Sequence, residues 1–427
     1  MTIKTEEGSI IKALSKRIVE AQRPILILDQ LKWDDTVKRD FFRHTPKRLP
    51  TVDLHYYEKH PLPFEPNDKI EEFRGILRDA YNQLGEYSPV TRLIKRQCYE
   101  YMRAVRMLEA RGTPVFNEMS KELYGSPDDV FYVGGPRLSE MGSVLFDLLT
   151  TLDVQLVSDL DIPKYSPHEA KTLLQSRLNA FFTQDKIKVL INDNMIADAA
   201  AGFDKIKLSK KAKFTDRELK YLEVHEGWVH LGTTINGKLQ PYCYFLSKGG
   251  PSCAVVQEGL AVLTEVITFS SYPARMRKIT NRVIAIDKAT RGADFMDIFR
   301  YFIECGLSQD DAYKQCVRVF RGSLPNGEPF TKDLAYAKGF VLLYNFLCYA
   351  ISERRVDVVP ILFAGKLSLD DVPLLLELKA EGLLSEPRYM PPQFRDLAAL
   401  SVWLGFSLYL DQFDFSEIQR NFRFLLA

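Results

Sequence analysis

The sequence has few histidines and no closely spaced cysteines. Its six cysteines are scattered over 427 residues, without a CxxC pair or the spacing of a zinc knuckle. This pattern excludes a disulfide scaffold and indicates reduced thiols. The first residues are acidic where a signal peptide needs a basic segment followed by an apolar one. We therefore predict a cytoplasmic protein.

The net charge is close to zero, and very long apolar runs are lacking. The chain has 57 Lys and Arg residues against 56 Asp and Glu, so it has no general attraction for nucleic acid or an anionic membrane. The longest apolar runs, residues 339–351 and 397–410, fall short of the roughly 18 residues that a spanning helix needs. We predict that both are buried helices, and we expect neither nucleic acid nor a membrane as a partner.

Motifs for several common catalytic chemistries are absent. The chain contains no GxSxG nucleophile elbow, no Walker phosphate loop and no GxGxxG fingerprint. No cysteine is grouped with a histidine by a known motif. These absences argue against the common serine hydrolases, nucleotide hydrolases and dinucleotide-dependent enzymes.

Helical periodicity dominates the sequence. Residues 87–111 are one clear example, and prolines interrupt the pattern between residues 50 and 66. A change of character places a domain boundary near residue 126. We predict an N-terminal mainly helical region, 1–125, and a catalytic region, 126–427. A single compact unit is the alternative.

Two short runs in the middle of the chain have the composition of β-strands. Residues 187–192 and 204–209 follow a helical segment at residues 170–182. The predicted fold class is therefore α+β, helix-rich, with a small sheet. The second run opens the segment "DKIKLSKKAKF", which we predict to be an edge strand with a solvated lysine face. Pairing of this strand with an acidic peptide is the alternative.

A helix with two histidines follows the strands. The stretch "YLEVHEGWVH" contains His225 and His230, and Thr215 followed by Glu218 fits a capping box upstream. The dipeptide Asn236-Gly237 is typical of a helix end, so the predicted helix spans residues 216–235.

The spacing of these histidines raises a geometric problem. In a regular α-helix, residues five apart diverge by about 140°, so the two imidazoles would point away from each other. A π-bulge at residues 227–229 would return them to one face, and Gly227 would ease such a distortion. The alternative is two unrelated histidines, one hydrogen-bonded in the core and one exposed.

A carboxylate occurs in the apolar helix "SCAVVQEGLAVLTEVITF". Glu258 lies among apolar residues, and its burial would require a partner. A zinc ion held by His225 and His230 would be such a partner, with Glu258 completing a two-histidine, one-carboxylate set. Glu265 lies seven residues later on the same face and is a candidate to orient a ligand histidine. Exposure at the edge of the helix is the alternative for both glutamates.

The segment "VVQEGLAVLTE" resembles the motif that gives the QEGLA-motif proteins their name. These proteins are described in bacteria as modulators of flavohaemoglobin expression. They are similar to the microtubule-associated tyrosine carboxypeptidase, a zinc peptidase that removes the C-terminal tyrosine of α-tubulin. The resemblance extends to "ARGTPVFNEMSKELYGSPDD", "VHEGWVHLGTTINGKLQP", "TKDLAYAKG" and "FAGKLSLDD".

This resemblance implies a zincin-like metallopeptidase core. Residue by residue, it implies that His225, His230 and Glu258 bind Zn²⁺ and that Glu226 is the catalytic base. Dipeptidyl peptidase III has a similar HExxxH motif. The chain departs from the tyrosine carboxypeptidase at Trp228-Val229, where that branch has Gly-Thr, and this departure bears on substrate preference more than on the metal.

A carboxypeptidase also needs a cation for the substrate carboxylate and a donor for the oxyanion. Lys332 is the first candidate for the cation because it lies in "TKDLAYAKG". Arginines are the other candidates for the cation and tyrosines those for the donor, with surface charge and core packing as the alternatives. These further candidates are Arg275, Arg282 and Arg321 for the cation and Tyr242, Tyr244 and Tyr336 for the donor.

The sequence as a whole predicts a zinc metallopeptidase that is carboxypeptidase-like and acts on a peptide or protein C-terminus. The alternative from another class is a non-catalytic regulatory or peptide-binding protein with a zinc site. A third hypothesis is zinc-dependent hydrolysis of a non-peptide amide. The residue removed, the choice between terminal and internal cleavage, and the oligomeric state are left open.

Overall fold

A computed structural model describes residues 2–43, 48–155, 159–193, 195, 198–202 and 204–422 of the chain. Helices dominate these residues and a small sheet lies between them, which confirms the helix-rich α+β class. The helices before residue 126 are Thr2–Gln22, Ile27–Gln30, Asp35–Arg43, Leu54–Lys59, Pro66–Leu84, Pro89–Glu109 and Pro114–Tyr124.

Helices resume after residue 137 and continue on both sides of the sheet. Those before the sheet are Leu138–Gln155, the 3₁₀ turn Asp159–Asp161 and Pro167–Phe181. Those after it are Asp216–Leu222, Glu223–Leu231, Gly232–Leu239, Tyr244–Ser247, Cys253–Ile267, Pro273–Thr290, Phe295–Glu304, Gln309–Phe320, Thr331–Leu334, Ala335–Ser352, Val356–Val358, Pro360–Phe363, Leu369–Asp371, Val372–Ala380, Pro392–Arg395, Leu397–Leu410 and Phe415–Phe422.

Local sequence signals explain where many of these helices begin. Proline occupies the first helical position at Pro66, Pro89, Pro114 and Pro167, where its missing N–H has no helical partner to lose. The capping box predicted at Thr215 is present, and the Thr215 side chain accepts a hydrogen bond from the backbone N–H of Glu218.

Within the described residues the sheet has three strands, β1 (Lys188–Asn192), β2 (Ala199–Ala201) and β3 (Lys205–Ser209). β3 lies in the centre, parallel to β1 and antiparallel to β2. The prediction that the lysine-rich strand is an edge strand is therefore wrong. It missed β2, which lies between the two predicted strands, and part of that interval falls outside the described residues.

Three apolar cores hold the fold together. The first joins N-terminal helices to the C-terminal half, and it contains Ile11, Phe73 and Leu260. The second surrounds the helices Pro273–Thr290 to Gln309–Phe320, and the third packs the sheet against Pro167–Phe181. The division of the chain at residue 126 stays a prediction.

The helix Leu397–Leu410 was predicted to be buried, and this is wrong for most of its surface. Leu400 and Leu404 are buried, whereas side chains around the rest of the helix, such as Val402 and Phe406, are exposed. The helix is apolar on all sides, so its composition cannot show which face packs on the protein.

The other apolar run forms the helix Ala335–Ser352. With the preceding turn it is long and apolar enough to cross a membrane by length and composition alone, but 39% of its most apolar stretch is buried in the protein. It packs on the helix Cys253–Ile267, where Gly339 faces Gly259. A Cβ atom on Gly259 would lie only 2.1 Å from the Gly339 carbonyl carbon, so this close crossing needs glycine.

Candidate metal centre

The histidine helix changes its winding where the two histidines lie. Residues Glu223–Leu231 form a π-helix between the α-helical segments Asp216–Leu222 and Gly232–Leu239. In a π-helix the hydrogen bonds join residues five apart, so residues with that spacing lie on the same face. The predicted distortion is confirmed, and it extends beyond the three residues that the sequence indicated.

The distorted segment packs closely on its neighbours. A Cβ atom on Gly227 would lie 2.5 Å from Leu178 Cδ2, so the glycine also permits close packing against the helix Pro167–Phe181. Trp228 points to the same side and stacks on Phe181 at 5.3 Å between ring centroids. The Trp228-Val229 departure therefore lies at a packing contact between helices.

The helix does not end at Asn236-Gly237, and that prediction is wrong. Gly237 faces the backbone of Leu246, which a Cβ atom would approach to 2.5 Å. The Asn236 amide donates hydrogen bonds to the carbonyls of Phe363 and Tyr389, and its Oδ1 accepts one from the Tyr389 N–H. Both residues thus serve tertiary packing inside a helix that continues to Leu239.

His225, His230 and Glu258 converge on one point. Their donor atoms lie within 4.8 Å of one another. Glu258 Oε2 is 3.3 Å from His225 Nε2 and 3.4 Å from His230 Nε2, yet it is buried and has no hydrogen-bond partner among the described residues. A buried carboxylate oxygen without a partner, facing two imidazole nitrogens, fits a cation bound between the three groups.

Each of these three side chains is held by a further contact. His225 Nδ1 lies 2.6 Å from Glu265 Oε1, and His230 Nδ1 lies 3.4 Å from Gln257 Oε1. The Lys332 ammonium donates to Glu258 Oε1 at 3.2 Å, which leaves Oε2 to face the histidines. Carboxylate and amide partners of this kind fix the ring orientation of metal-binding histidines.

Glu265 is completely buried and paired on two sides. Arg275 donates to its carboxylate through Nε at 3.2 Å and Nη2 at 3.0 Å. Burial alone would raise the pKa of Glu265, but the Arg275 guanidinium and His225 outweigh it and lower the pKa to about 2. Burial alone would lower the pKa of His225, but Glu258 and Glu265 raise it to about 9.

Glu226 lies beside the cluster and faces β2. Its Oε2 accepts a hydrogen bond of 2.7 Å from the backbone N–H of Ala201. This contact places an edge strand next to the carboxylate. The side chains of β2 are all alanine methyl groups.

A cleft of about 460 Å³ opens beside His225 and Glu226. Its wall is rich in positive charge from the helices Pro273–Thr290 and Gln309–Phe320. Of the predicted substrate-binding residues, Arg275, Arg282 and Tyr336 line it, whereas Lys332 and Arg321 do not. The basic residues of the lining are Arg275, Arg277, Lys278, Arg282, Lys314 and Arg318.

Tyr336 is the one of the three candidate tyrosines that lines this cleft. Its ring stacks near His225, with 6.1 Å between ring centroids and 21° between ring planes. Burial raises the pKa of its phenol, so it keeps its proton and can donate a hydrogen bond. Tyr242 instead packs its ring against Gly8, and Tyr244 begins a short 3₁₀ helix.

Several residues around the site were not predicted from the sequence. Asp333 is buried and pairs with Arg318, and Lys366 is close enough to interact electrostatically with Glu226 and Glu258. Arg318 carried a detectable signal, because it lies between the buried residues Val317 and Val319, just as Glu258 lies among apolar neighbours. Lys366 lies in the family-like segment "FAGKLSLDD" but was not singled out.

The described residues thus form a helix-rich α+β protein in which a His-His-Glu cluster and an adjacent glutamate lie beside a basic cleft. A family model described as microtubule-associated tyrosine carboxypeptidase matches residues 39–412. Because the match covers most of the chain, the protein belongs to this family, and the membership supports a carboxypeptidase-like peptidase activity. A search of curated proteins gave no match.

Proposed function

We propose that the protein is a zinc-dependent carboxypeptidase in which His225, His230 and Glu258 hold the metal and Glu226 is the general base. The observation that carries this proposal is the π-helix, which brings the two histidines within reach of Glu258 and keeps Glu226 at the cleft. A site built only for structure would not need a free carboxylate beside its ligands.

The donor set supports zinc in particular. Two imidazole nitrogens and one carboxylate oxygen are a common catalytic zinc set, with a fourth position open for water. When bound, zinc would polarise the scissile carbonyl and lower the pKa of a water molecule to about 7. Lys332 neutralises the second oxygen of Glu258 and so favours binding through Oε2 alone.

In this proposal Glu226 moves a proton. Its carboxylate takes a proton from the attacking water and passes it to the amine of the departing residue. The hydrogen bond from the Ala201 N–H fixes one carboxylate oxygen and leaves the other for this transfer. The position of Glu226 at the cleft wall gives it access to the substrate.

Tyr336 and β2 would position the substrate. The Tyr336 phenol stands beside His225 in the cleft and would donate to the carbonyl oxygen as negative charge develops there. β2 is an edge of the sheet next to Glu226, and an extended peptide would lie along this edge. The partner is thus a peptide or protein C-terminus, and the core is zincin-like in this proposal.

We also propose a cytoplasmic location. The six cysteines are free thiols, and five of them are buried. Burial raises the pKa of Cys98, Cys243 and Cys253 to about 12, so these thiols stay protonated and unreactive.

The substitution Glu226→Gln tests the general base. We expect this variant to keep its zinc and to lose hydrolysis by at least about 10²- to 10⁴-fold, because the amide cannot accept the proton. The measurements are metal analysis and mass-spectrometric digestion of a peptide library.

Glu223→Gln is the matched control, since Glu223 lies on the same π-helix but pairs with Arg177 at 3.5 Å. Full activity of Glu226→Gln would exclude Glu226 as the base. Zinc binding without cleavage of any peptide by the wild type would instead favour a regulatory or peptide-binding protein.

A further inference from the structure

A cluster of three arginines around one aspartate lies at the cleft. We propose that this cluster binds the C-terminal carboxylate of the substrate, with Arg282 as the residue that contacts it. The inference rests on the proposed peptidase function, and it names the group that would make the enzyme select chain ends. The cluster consists of Arg282, Arg318, Arg321 and Asp333.

The cluster contains more positive than negative charge. Arg318 pairs with Asp333 in a bidentate manner, at 2.6 Å from Nε and 2.9 Å from Nη2. Arg282 and Arg321 each approach the same carboxylate to 3.8 Å. One aspartate therefore faces three guanidinium groups.

Arg282, Arg321 and Asp333 are buried and the Arg318 side chain is 15% exposed, so water screens this excess charge only weakly. The side chains of Arg282 and Arg321 are 9% and 6% exposed, and that of Asp333 is 3% exposed. Arg321 Nε is buried and has no hydrogen-bond partner in the part of the chain that the structure describes. Burial and the neighbouring Arg318 lower the pKa of Arg282, which is the effect expected where anions are too few. An incoming carboxylate would supply the missing negative charge.

Arg282 is the member of the cluster whose guanidinium has unused hydrogen-bond donors. Its Nε points to Gln315 Oε1 at 3.3 Å and to Asp333. Its two terminal nitrogens make no hydrogen bond to any residue in the described part of the chain. An arginine fork of this kind is suited to bidentate binding of a carboxylate.

The position of Arg282 fits the length of the group to be bound. Only the backbone of one residue separates the scissile carbonyl of a carboxypeptidase substrate from its terminal carboxylate, so the anchor must lie close to the metal centre. Arg282 lines the same cleft as His225 and Glu226. Tyr336 lies between them, with its ring 5.2 Å from Arg282 Cζ and 6.1 Å from the His225 ring.

Other cations near the metal centre are less suitable. Lys332 is bound to Glu258, and Arg275 is bound to Glu265. Lys366 has no such ion pair among the described residues, but it lines a separate small cavity with Glu100 and Asp371. Of these four cations, Arg282 is the one that lines the cleft with both terminal nitrogens free of hydrogen bonds to the described residues.

Two peptides of one sequence, one with a free C-terminal carboxylate and one with a C-terminal amide, test the inference. Calorimetry with the Glu226→Gln variant measures binding without turnover, and we expect it to bind the free acid at least about 10-fold more tightly than the amide. The double variant with Arg282→Gln should lose this preference, because only its affinity for the free acid should fall. In the active enzyme, Arg282→Gln should lower kcat/KM for the free acid by about 10- to 100-fold.

Two further variants separate a specific contact from general charge. Arg282→Lys keeps the positive charge but lacks the planar guanidinium that binds a carboxylate through two hydrogen bonds. Compared with Arg282→Gln, it should therefore restore part of the preference for the free acid. Lys314→Met removes one charge from the cleft wall, where Lys314 pairs with Asp310 at 2.8 Å, and it should leave the preference intact. Thermal unfolding of each variant verifies that it is folded.

Several results would overturn the inference. One is that Glu226→Gln binds the free acid and the amide equally tightly. Another is that Arg282→Gln weakens the binding of both peptides to the same extent. A third is that Lys366→Ala removes the preference for the free acid while Arg282→Gln keeps it. The peptidase function and the carboxylate site can be refuted independently of each other. Selective binding of the free acid without any cleavage would refute the peptidase function alone, and equal cleavage of acid and amide would refute the carboxylate site alone.

Discussion

Each donor atom of the candidate metal centre has its own supporting residue. Glu265 holds His225, Gln257 holds His230, and Lys332 occupies the second oxygen of Glu258. These contacts reduce the freedom of the side chains before any metal arrives. Preorganisation of this kind raises metal affinity because less ordering remains to be done on binding.

Glu265→Gln tests this support. We expect it to weaken zinc affinity by about 10- to 100-fold, because the neutral amide orients His225 less firmly than the carboxylate does. Competition with a chelating zinc indicator measures the affinity. Glu223→Gln is again the control, since it removes a carboxylate of the same helix whose partner is Arg177. Equal affinity in wild type and Glu265→Gln would show that the Glu265 contact does not support metal binding.

The sequence predicted the contacts of some residues of the candidate site better than those of others. Glu258 and Glu265 could be singled out because a carboxylate in an apolar helix needs a partner, and the structure brings both to the histidines. Lys332 was placed near the site by its motif, but its ion pair with Glu258 could not be predicted. Charge pairing depends on which helices meet, and the sequence pattern of one helix does not contain that information.

The π-helix is the element on which the site depends. The sequence predicted a distortion because the histidine spacing is incompatible with a shared face on an α-helix. It did not predict its extent, Glu223–Leu231, because the winding also follows from packing against the helix Pro167–Phe181. Capping residues act locally, so the start of the helix was predicted correctly. The roles of Asn236 and Gly237 are tertiary, so its end was not.

The sheet also shows that tertiary contacts cannot be predicted from the local sequence pattern. β2 has three residues and no β-branched side chain, so its sequence carries little strand propensity. Its place at the edge arises from pairing with β3 and from the hydrogen bond between Ala201 and Glu226. Neither contact can be read from the periodicity of the strand itself.

The crossing of two helices behind the metal centre depends on glycine. We expect Gly259→Ala to lower the free energy of unfolding by at least about 2 kcal/mol, because the new methyl group would overlap the Gly339 backbone. Chemical denaturation measures this change. Gly405→Ala is the matched control in another helix, with nothing within 4 Å of its Cβ position, and should stabilise by about 0.5–1 kcal/mol. A neutral effect of Gly259→Ala would refute the close crossing.

The functional site as a whole combines parts of the chain that are far apart in sequence. The sheet edge and histidine helix form one side of the cleft, and the helices Pro273–Thr290 and Gln309–Phe320 form the other. The sequence predicted the helix-rich α+β class and the three side chains that meet in the His-His-Glu cluster. It did not predict the arginine cluster at the cleft, which exists only because Arg282, Arg318 and Asp333 meet in the folded protein.

In the proposed function, bound zinc enables this protein to remove a C-terminal residue. The most direct measurement combines metal analysis with mass spectrometry of peptides treated with the purified, the chelated and the zinc-restored protein. We expect about one zinc per chain and the loss of single C-terminal residues from the peptides. This activity should disappear on chelation and return with zinc. Internal cuts, or cleavage that persists after the metal is removed, would contradict the proposed function.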